Sequence, residues 1–282
     1  MKLFMYVAIV LMLSSHPTIG AENEHVKQQT IEHSFPAQPG SRVVIDGING
    51  SIRVHGYSGN EVRVVVQEEM RGHSESDLQQ ALEDIVLQIK SDEDEINFYV
   101  HTPWRDCHRK CSRSHNHDYE FSHDFELQVP YGVALYLRTV NGGDIRVDDV
   151  RGVVELNNVN GRIDAIGILG ISKVRTVNGG IVLEFMKVPR QGGEVVTVNG
   201  DVDLAFPSIP DAHVSMKTMN GGLYSDFAYT HKNSKAQIES RTLDGRYVYR
   251  SSGGTEISIG KGGPVWSLET LNGDIYIRKD DR

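Results

Sequence analysis

The chain has 282 residues and a formal net charge of −9, with 39% hydrophobic and 7% aromatic residues and 28 glycines. That length suffices for a sizeable core. The negative charge argues against general nucleic-acid binding, which needs a basic footprint, and the scarcity of aromatic rings weakens the case for a deep sugar-stacking cleft.

The N-terminus reads as a secretory signal peptide over residues 1–21. Lys2 gives a positive start, an apolar run follows from Leu3 to Leu13, and Pro17 with Thr18-Ile19-Gly20-Ala21 offers a small-residue cut after Gly20 or Ala21. The run is too short to span a bilayer as a helix. No later stretch has membrane length and no cysteine stands near the cut, so the mature chain is expected to be periplasmic or secreted, without a transmembrane segment. Losing Lys2 takes the formal charge from −9 to −10. Residues 22–40 are polar and are expected to form a flexible leader.

Residues 41–130 read as a β-rich entry region. Val43-Val44-Ile45, the turn at Asn49-Gly50, and Ile52, Val54, Val62, Val64 and Val66 alternate as strands do. Ser74 to Asp84 is the one predicted helix: Ser74 or Ser76 can cap it, Asp77 sits in its first turn, and Leu78, Ala81, Leu82 and Ile85 share a face. Two more strands, Ile85 to Lys90 and Ile96 to His101, flank the acidic turn Asp92-Glu93-Asp94-Glu95. An insert at 103–122 breaks the composition, after which Phe125, Leu127 and Val129 resume the strand pattern.

From 131 to 282 a repeat takes over. Asn49-Gly50, Asn141-Gly142, Asn160-Gly161, Asn178-Gly179, Asn199-Gly200, Asn220-Gly221, Asp244-Gly245 and Asn272-Gly273 each follow an apolar residue, and from the second onward they are spaced by 19, 18, 21, 21, 24 and 28 residues. Thr stands two residues before the turn at Thr139, Thr176, Thr197, Thr218, Thr242 and Thr270; Gly47 and Asn158 are the exceptions. Apolar pairs three and five residues after it, such as Ile163 and Ala165 or Ile181 and Leu183, share one strand face. An antiparallel hairpin in a sandwich recurs about every 10–12 residues. A period near twenty predicts instead a single-stranded parallel β-solenoid, all-β, in which each coil buries its apolar face only by stacking on the next. The expectation is about seven coils and, at about 4.8 Å each, a stack of roughly 34 Å. The Asn and Thr rows are read as structural ladders. Arg278 to Arg282 are read as charges protecting an open last coil.

Val129-Pro130-Tyr131-Gly132, then Leu135-Tyr136-Leu137-Arg138-Thr139-Val140-Asn141-Gly142 and the Thr-x-Asn-Gly coils after it, resemble the bacterial "putative adhesin" domain of unknown function, the toastrack type. Asn49-Gly50-Ser51-Ile52-Arg53-Val54 fits as well, and the resemblance covers roughly 41–282. It implies a single-handed, right-handed-type β-solenoid exported to the envelope or attached to membrane proteins, with no established enzyme activity. The insert at 103–122 departs from simple members.

That insert holds the chemistry that stands out. Both cysteines lie in Cys107-His108-Arg109-Lys110-Cys111, and His101, His108, His115, His117 and His123 cluster around them. Three readings compete. In an oxidising compartment Cys107 and Cys111 close a disulfide whose small ring stiffens the loop, contributing about 2 kcal/mol or less. Alternatively Cys107, Cys111, His115 and His117, with His108 as a substitute, offer ligands that zinc or copper accept, although Cys-x3-Cys departs from the usual zinc knuckle. Thirdly Trp104, Arg105, Arg109, Lys110 and Arg113 form a basic, aromatic-flanked tip for lipid phosphate, acidic polysaccharide or an acidic partner. The first reading needs no cofactor, and the partner is expected to be an envelope component or membrane protein.

No nucleophile elbow, phosphate loop or HExxH is present. The rival enzyme class is a β-helix polysaccharide lyase or hydrolase working with paired carboxylates, for which Asp144, Asp164, Asp201 and Asp274, with Asp148, Asp149 and Asp203 nearby, are the candidates. Their recurrence at the turns favours a solvated edge. The chain is therefore expected to be a non-catalytic, adhesin-like structural or binding module of the cell envelope.

Overall fold

The computed structural model describes residues 24–105, 118–231, 239–243, 246–250 and 254–280. In chain order the elements are β1 His25–Pro36, β2 Arg42–Asp46, β3 Ile52–Tyr57, β4 Glu61–Gly72, α1 Glu75–Asp84, β5 Val86–Ser91, β6 Glu95–His101 and β7 Tyr119–Pro130. There follow β8 Ala134–Arg138, β9 Ile145–Asp148, β10 Val154–Asn157, β11 Ile163–Ile168, β12 Ile171–Arg175, β13 Ile181–Phe185, β14 Glu194–Val196 and β15 Val202–Phe206. The last are β16 Ala212–Asn220, β17 Leu223–Ser225, β18 Tyr229–His231, β19 Glu239–Leu243, β20 Arg246–Arg250, β21 Thr255–Ile259, β22 Val265–Asn272 and β23 Ile275–Lys279. The described residues are all-β apart from α1, which starts as its sequence dictates: Ser74 Oγ accepts from the Asp77 amide at 3.2 Å while Asp77 Oδ2 accepts from the Ser74 amide at 2.9 Å.

Two open sheets face each other. The first runs β1-β4-β7-β3-β9-β11-β13-β15-β23-β17-β20-β19, the second β18-β21-β16-β22-β14-β12-β10-β8-β2-β6-β5. From β8 to β15 the chain crosses to the other sheet after every strand, so each two-strand layer lies parallel on the one before. Inward residues stack in rows: Ile52, Ile145, Ile163, Ile181, Val202, Ile275 and Leu223 are in register and buried. Burial of each large aliphatic side chain contributes about 1.5–3 kcal/mol. Phe185, Phe206 and Trp266 fill one stretch of the interior with ring centroids 5.0–5.8 Å apart. Phe35, Phe98 and Phe125 fill another.

Four features differ from the sequence reading. Residues 25–36, expected as a flexible leader, form β1, paired antiparallel with β4 along its whole length. Its polar side chains hide the strand because they bond across it: Thr30 Oγ1 donates to Gln67 at 2.8 Å, and Gln28 donates to Glu69. The entry region 41–130 is not set apart from 131–282, since β3 pairs with β9 and β2 with β8. The parallel layers are eight among the described residues, two of them (β6/β7 and β2/β3) built from that entry region.

The order of layers also departs from chain order. β22 and β23 insert between β14/β15 and β16/β17, so β23 with Arg278 is an interior strand and not a protected end. Each Asn-Gly layer presents the same edge, so any one can stack on any other. At that end β20 and β21 add antiparallel, and β19 and β20 form an antiparallel pair with Leu243 opposite Arg246. Asp244-Gly245 lies outside the described residues; the strands around it make a hairpin where a parallel coil was expected.

Candidate functional site

Each parallel layer has two edges where the chain passes between sheets. The Asn-Gly signals occupy one. There Asn141, Asn160, Asn178, Asn199, Asn272 and Asn220 form an unbroken side-chain ladder, each Nδ2 donating to the Oδ1 of the Asn before it at 2.7–2.8 Å. Asn49 lies beside Asn141 but donates to the Phe121 carbonyl at 3.0 Å. Behind this row the Thr hydroxyls point inward. Thr176, Thr197, Thr270 and Thr218 each donate at 2.9 Å to the carbonyl of a Gly one layer away, and Thr139 donates to Gly50 at 3.0 Å. Asn158, the exception in the sequence, does the same for Gly143 at 3.0 Å. These bonds satisfy backbone groups that a tight corner would otherwise leave unpaired.

The carboxylates weighed for glycan cleavage are engaged too. Asp144, Asp201 and Asp274 accept from the backbone amides of Arg162, Asp274 and Gly222 at 2.7–2.8 Å, tying neighbouring layers. Asp164, Asp148 and Asp203 pair with Arg162, Arg146 and Arg278 at 2.6–3.0 Å. Asp149 adopts a left-handed backbone with φ of 59°. The apolar residue before each Asn stays partly in water, most so at Met219, 75% exposed.

The insert replaces the Asn-Gly corner in the layer β6/β7, next to Asn49. Cys107, His108, Arg109, Lys110, Cys111, Arg113, His115 and His117 lie outside the described residues, and with them the disulfide and the metal set. Among the described residues no group of three or more His, Cys, Asp or Glu side chains could hold a metal ion. The base of the insert is described. Arg105 donates to the Asp46 carboxylate at 2.6 Å and to the Val100 carbonyl at 2.9 Å, with its guanidinium 4.7 Å from the Tyr99 ring centroid. It anchors the insert instead of projecting from it. Trp104 is half-exposed and leans on Phe121. Tyr119 donates to Asp84 at 2.8 Å, and burial together with that bond pushes its phenol up.

His123 belongs to the interior. Its Nε2 lies 2.8 Å from Glu68 Oε2, both side chains are buried, and Gln29 donates to the other Glu68 oxygen at 2.5 Å. Sequence reasoning missed the pairs Glu68–His123 and Asp46–Arg105 because their members are 55 and 59 residues apart and belong to no repeat.

No family model matches the chain. No curated protein matches it. Among solved structures it is similar to a "putative cell adhesion protein" from Clostridium sporogenes, with 11% identity over 89% of this chain and 100% of that one and a TM-score of 0.41. It is also similar to a "putative adhesin" from Bacteroides fragilis, with 11% identity over 89% of this chain and 97% of that one and a TM-score of 0.37.

Proposed function

We propose that the chain is a parallel β-solenoid exported to the cell envelope, where it acts as a non-catalytic, adhesin-like binding or structural module. One observation carries this reading: the polar side chains that the repeat supplies, its Asn, Thr and Asp rows, are taken up in bonds between layers. Groups fixed in this way give stiffness and leave recognition to the surfaces the stack presents. The signal-like residues 1–21 support export, and the insert supplies the contact loop. With Arg105 holding its base, contact in this reading falls to Trp104, Arg109, Lys110 and Arg113, on a loop closed by a Cys107–Cys111 disulfide.

Cell fractionation tests this. The protein is expected in the exported fraction with a mass corresponding to cleavage after Gly20 or Ala21 and two hydrogens fewer than the dithiol. Deleting 106–117, which spares Arg105 and the whole of β7, is expected to lower its retention on envelope fractions while leaving the melting temperature close to that of the parent. Full-length protein confined to the cytoplasm would remove the export reading. Retention unchanged by the deletion would remove the loop from the contact.

A further inference from the structure

The edge away from the Asn ladder carries a different chemistry. There the segments 149–153, 167–170 and 186–193 return the chain from the first sheet to the second, and they enclose a shallow groove of about 420 Å³. Val153, Leu169 and Val188 line it, with Arg151, Lys187 and Arg190 around them. No Asp or Glu lines it, in a chain of net charge −9. Among the described residues none of the three cations has an ion-pair partner; Arg151 lies 3.9 Å over the Tyr131 ring. The nearest acidic neighbour in sequence, Asp149, turns its carboxylate toward Gly167, where a Cβ would stand 2.6 Å from Asp149 Oδ1. Val153 and Met186 are 47% and 37% exposed. Val265, 66% exposed, extends the apolar edge by one more layer, packed against Gly192 so closely that a Cβ there would lie 1.7 Å from its carbonyl oxygen.

Unpaired cations beside exposed aliphatic side chains match the chemistry of an anionic lipid surface, where phosphates meet Arg and Lys and apolar groups enter the acyl boundary. An acidic polysaccharide would satisfy the cations and leave the aliphatic groups in water. The groups are also strung along an edge, layer after layer, and do not converge on a point as a pocket for one small molecule does. We propose that this edge docks the protein on anionic phospholipid, lying along the bilayer with the Asn ladder on the far edge. The proposal adds a second surface to the envelope module and does not depend on the insert.

The test is sedimentation of the purified protein with vesicles of equal parts phosphatidylglycerol and phosphatidylcholine, and with phosphatidylcholine alone. Binding is expected to the anionic vesicles and to weaken as salt rises. Arg151→Gln with Lys187→Gln and Arg190→Gln should lower the partition coefficient on the order of 100-fold, at about five-fold per charge, and Lys187→Gln alone about five-fold. Val153→Ser with Val265→Ser should lower what binding persists at high salt. The charge-matched set Arg53→Gln, Arg146→Gln and Arg162→Gln, on the other sheet face and corner, should leave partition unchanged. Circular dichroism establishes that each variant folds. Absence of anionic-vesicle binding overturns the proposal, as does an equal loss in the charge-matched set. Preferential capture of an acidic peptide, or a dimer abolished by Val153→Ser, would assign the edge to a protein and equally overturn it. Vesicle binding that survives deletion of 106–117 separates this proposal from the role given to the insert.

Discussion

Asn178 both donates to Asn160 and accepts from Asn199. Asn178→Ala breaks two rungs of the ladder and is expected to lower unfolding free energy by about 1–2 kcal/mol in urea titration. Thr176→Val keeps shape but leaves the Gly161 carbonyl without its hydroxyl, for an expected loss of about 1–2 kcal/mol. Gly50→Ala should cost more than either. Its φ is +116° and a Cβ would stand 2.2 Å from the His123 carbonyl oxygen, so strain and collision coincide. Tyr276 adds a pH dependence. Burial, then its bond to Asp274, push its phenol from 10.0 up to about 12. A raised folded value favours the neutral form, so its contribution is fully present below pH 10 and is lost as pH rises through 12. Unfolding free energy from urea titration should therefore fall between pH 10 and 12, and Tyr276→Phe should flatten that fall.

At the scale of elements, the inserted pair β22/β23 carries Trp266, which is 2% exposed and packs on Phe185 and Phe206. Trp266→Ala is expected to destabilise by about 3–5 kcal/mol and to remove the blue-shifted part of the fluorescence, leaving the half-exposed Trp104. The strand faces, the helix cap at Ser74 and the Asn and Thr rows were legible because each is written locally, in spacing or in residues three apart. The position of β22/β23 was not. Asn272 matches Asn199 and Asn220 equally well, so the motif that announces a layer says nothing about which layers it joins. β1 escaped for another reason: Lys27, Gln28, Gln29 and Thr30 show no apolar alternation, and the strand becomes visible only beside Gln67, Glu68 and Glu69. At the insert, Arg105 read as one cation among several until Asp46 and Tyr99 were brought to it.

The whole molecule is a parallel stack closed at both ends by antiparallel strands. β4 and β5 cover one end, with β1 beyond β4; β20 and β21 cover the other. Such caps turn the regular edge of a repeat into something a second copy matches poorly. Deleting residues 24–36 bares the twelve-residue strand β4 and removes Ile31 and Phe35 from the core margin. Size-exclusion chromatography of that variant is expected to show self-association, whereas a monodisperse monomer would assign β1 no protective role.

The placement of residues 265–279 between 194–206 and 212–225 also sets an order in time. Ribosomes and export channels release a chain from its N-terminus, so residues 212–225 emerge while the segment that must separate them from Val202 is still to come. They can meet β20 and β21 earlier, but they cannot join the parallel stack until it arrives. Nascent chains halted before residue 265 should therefore resist protease only up to about Phe206, with protection of the remainder appearing in one step once residue 279 is free. Maturation would then be timed by the emergence of this late segment and not by the gradual growth of the stack.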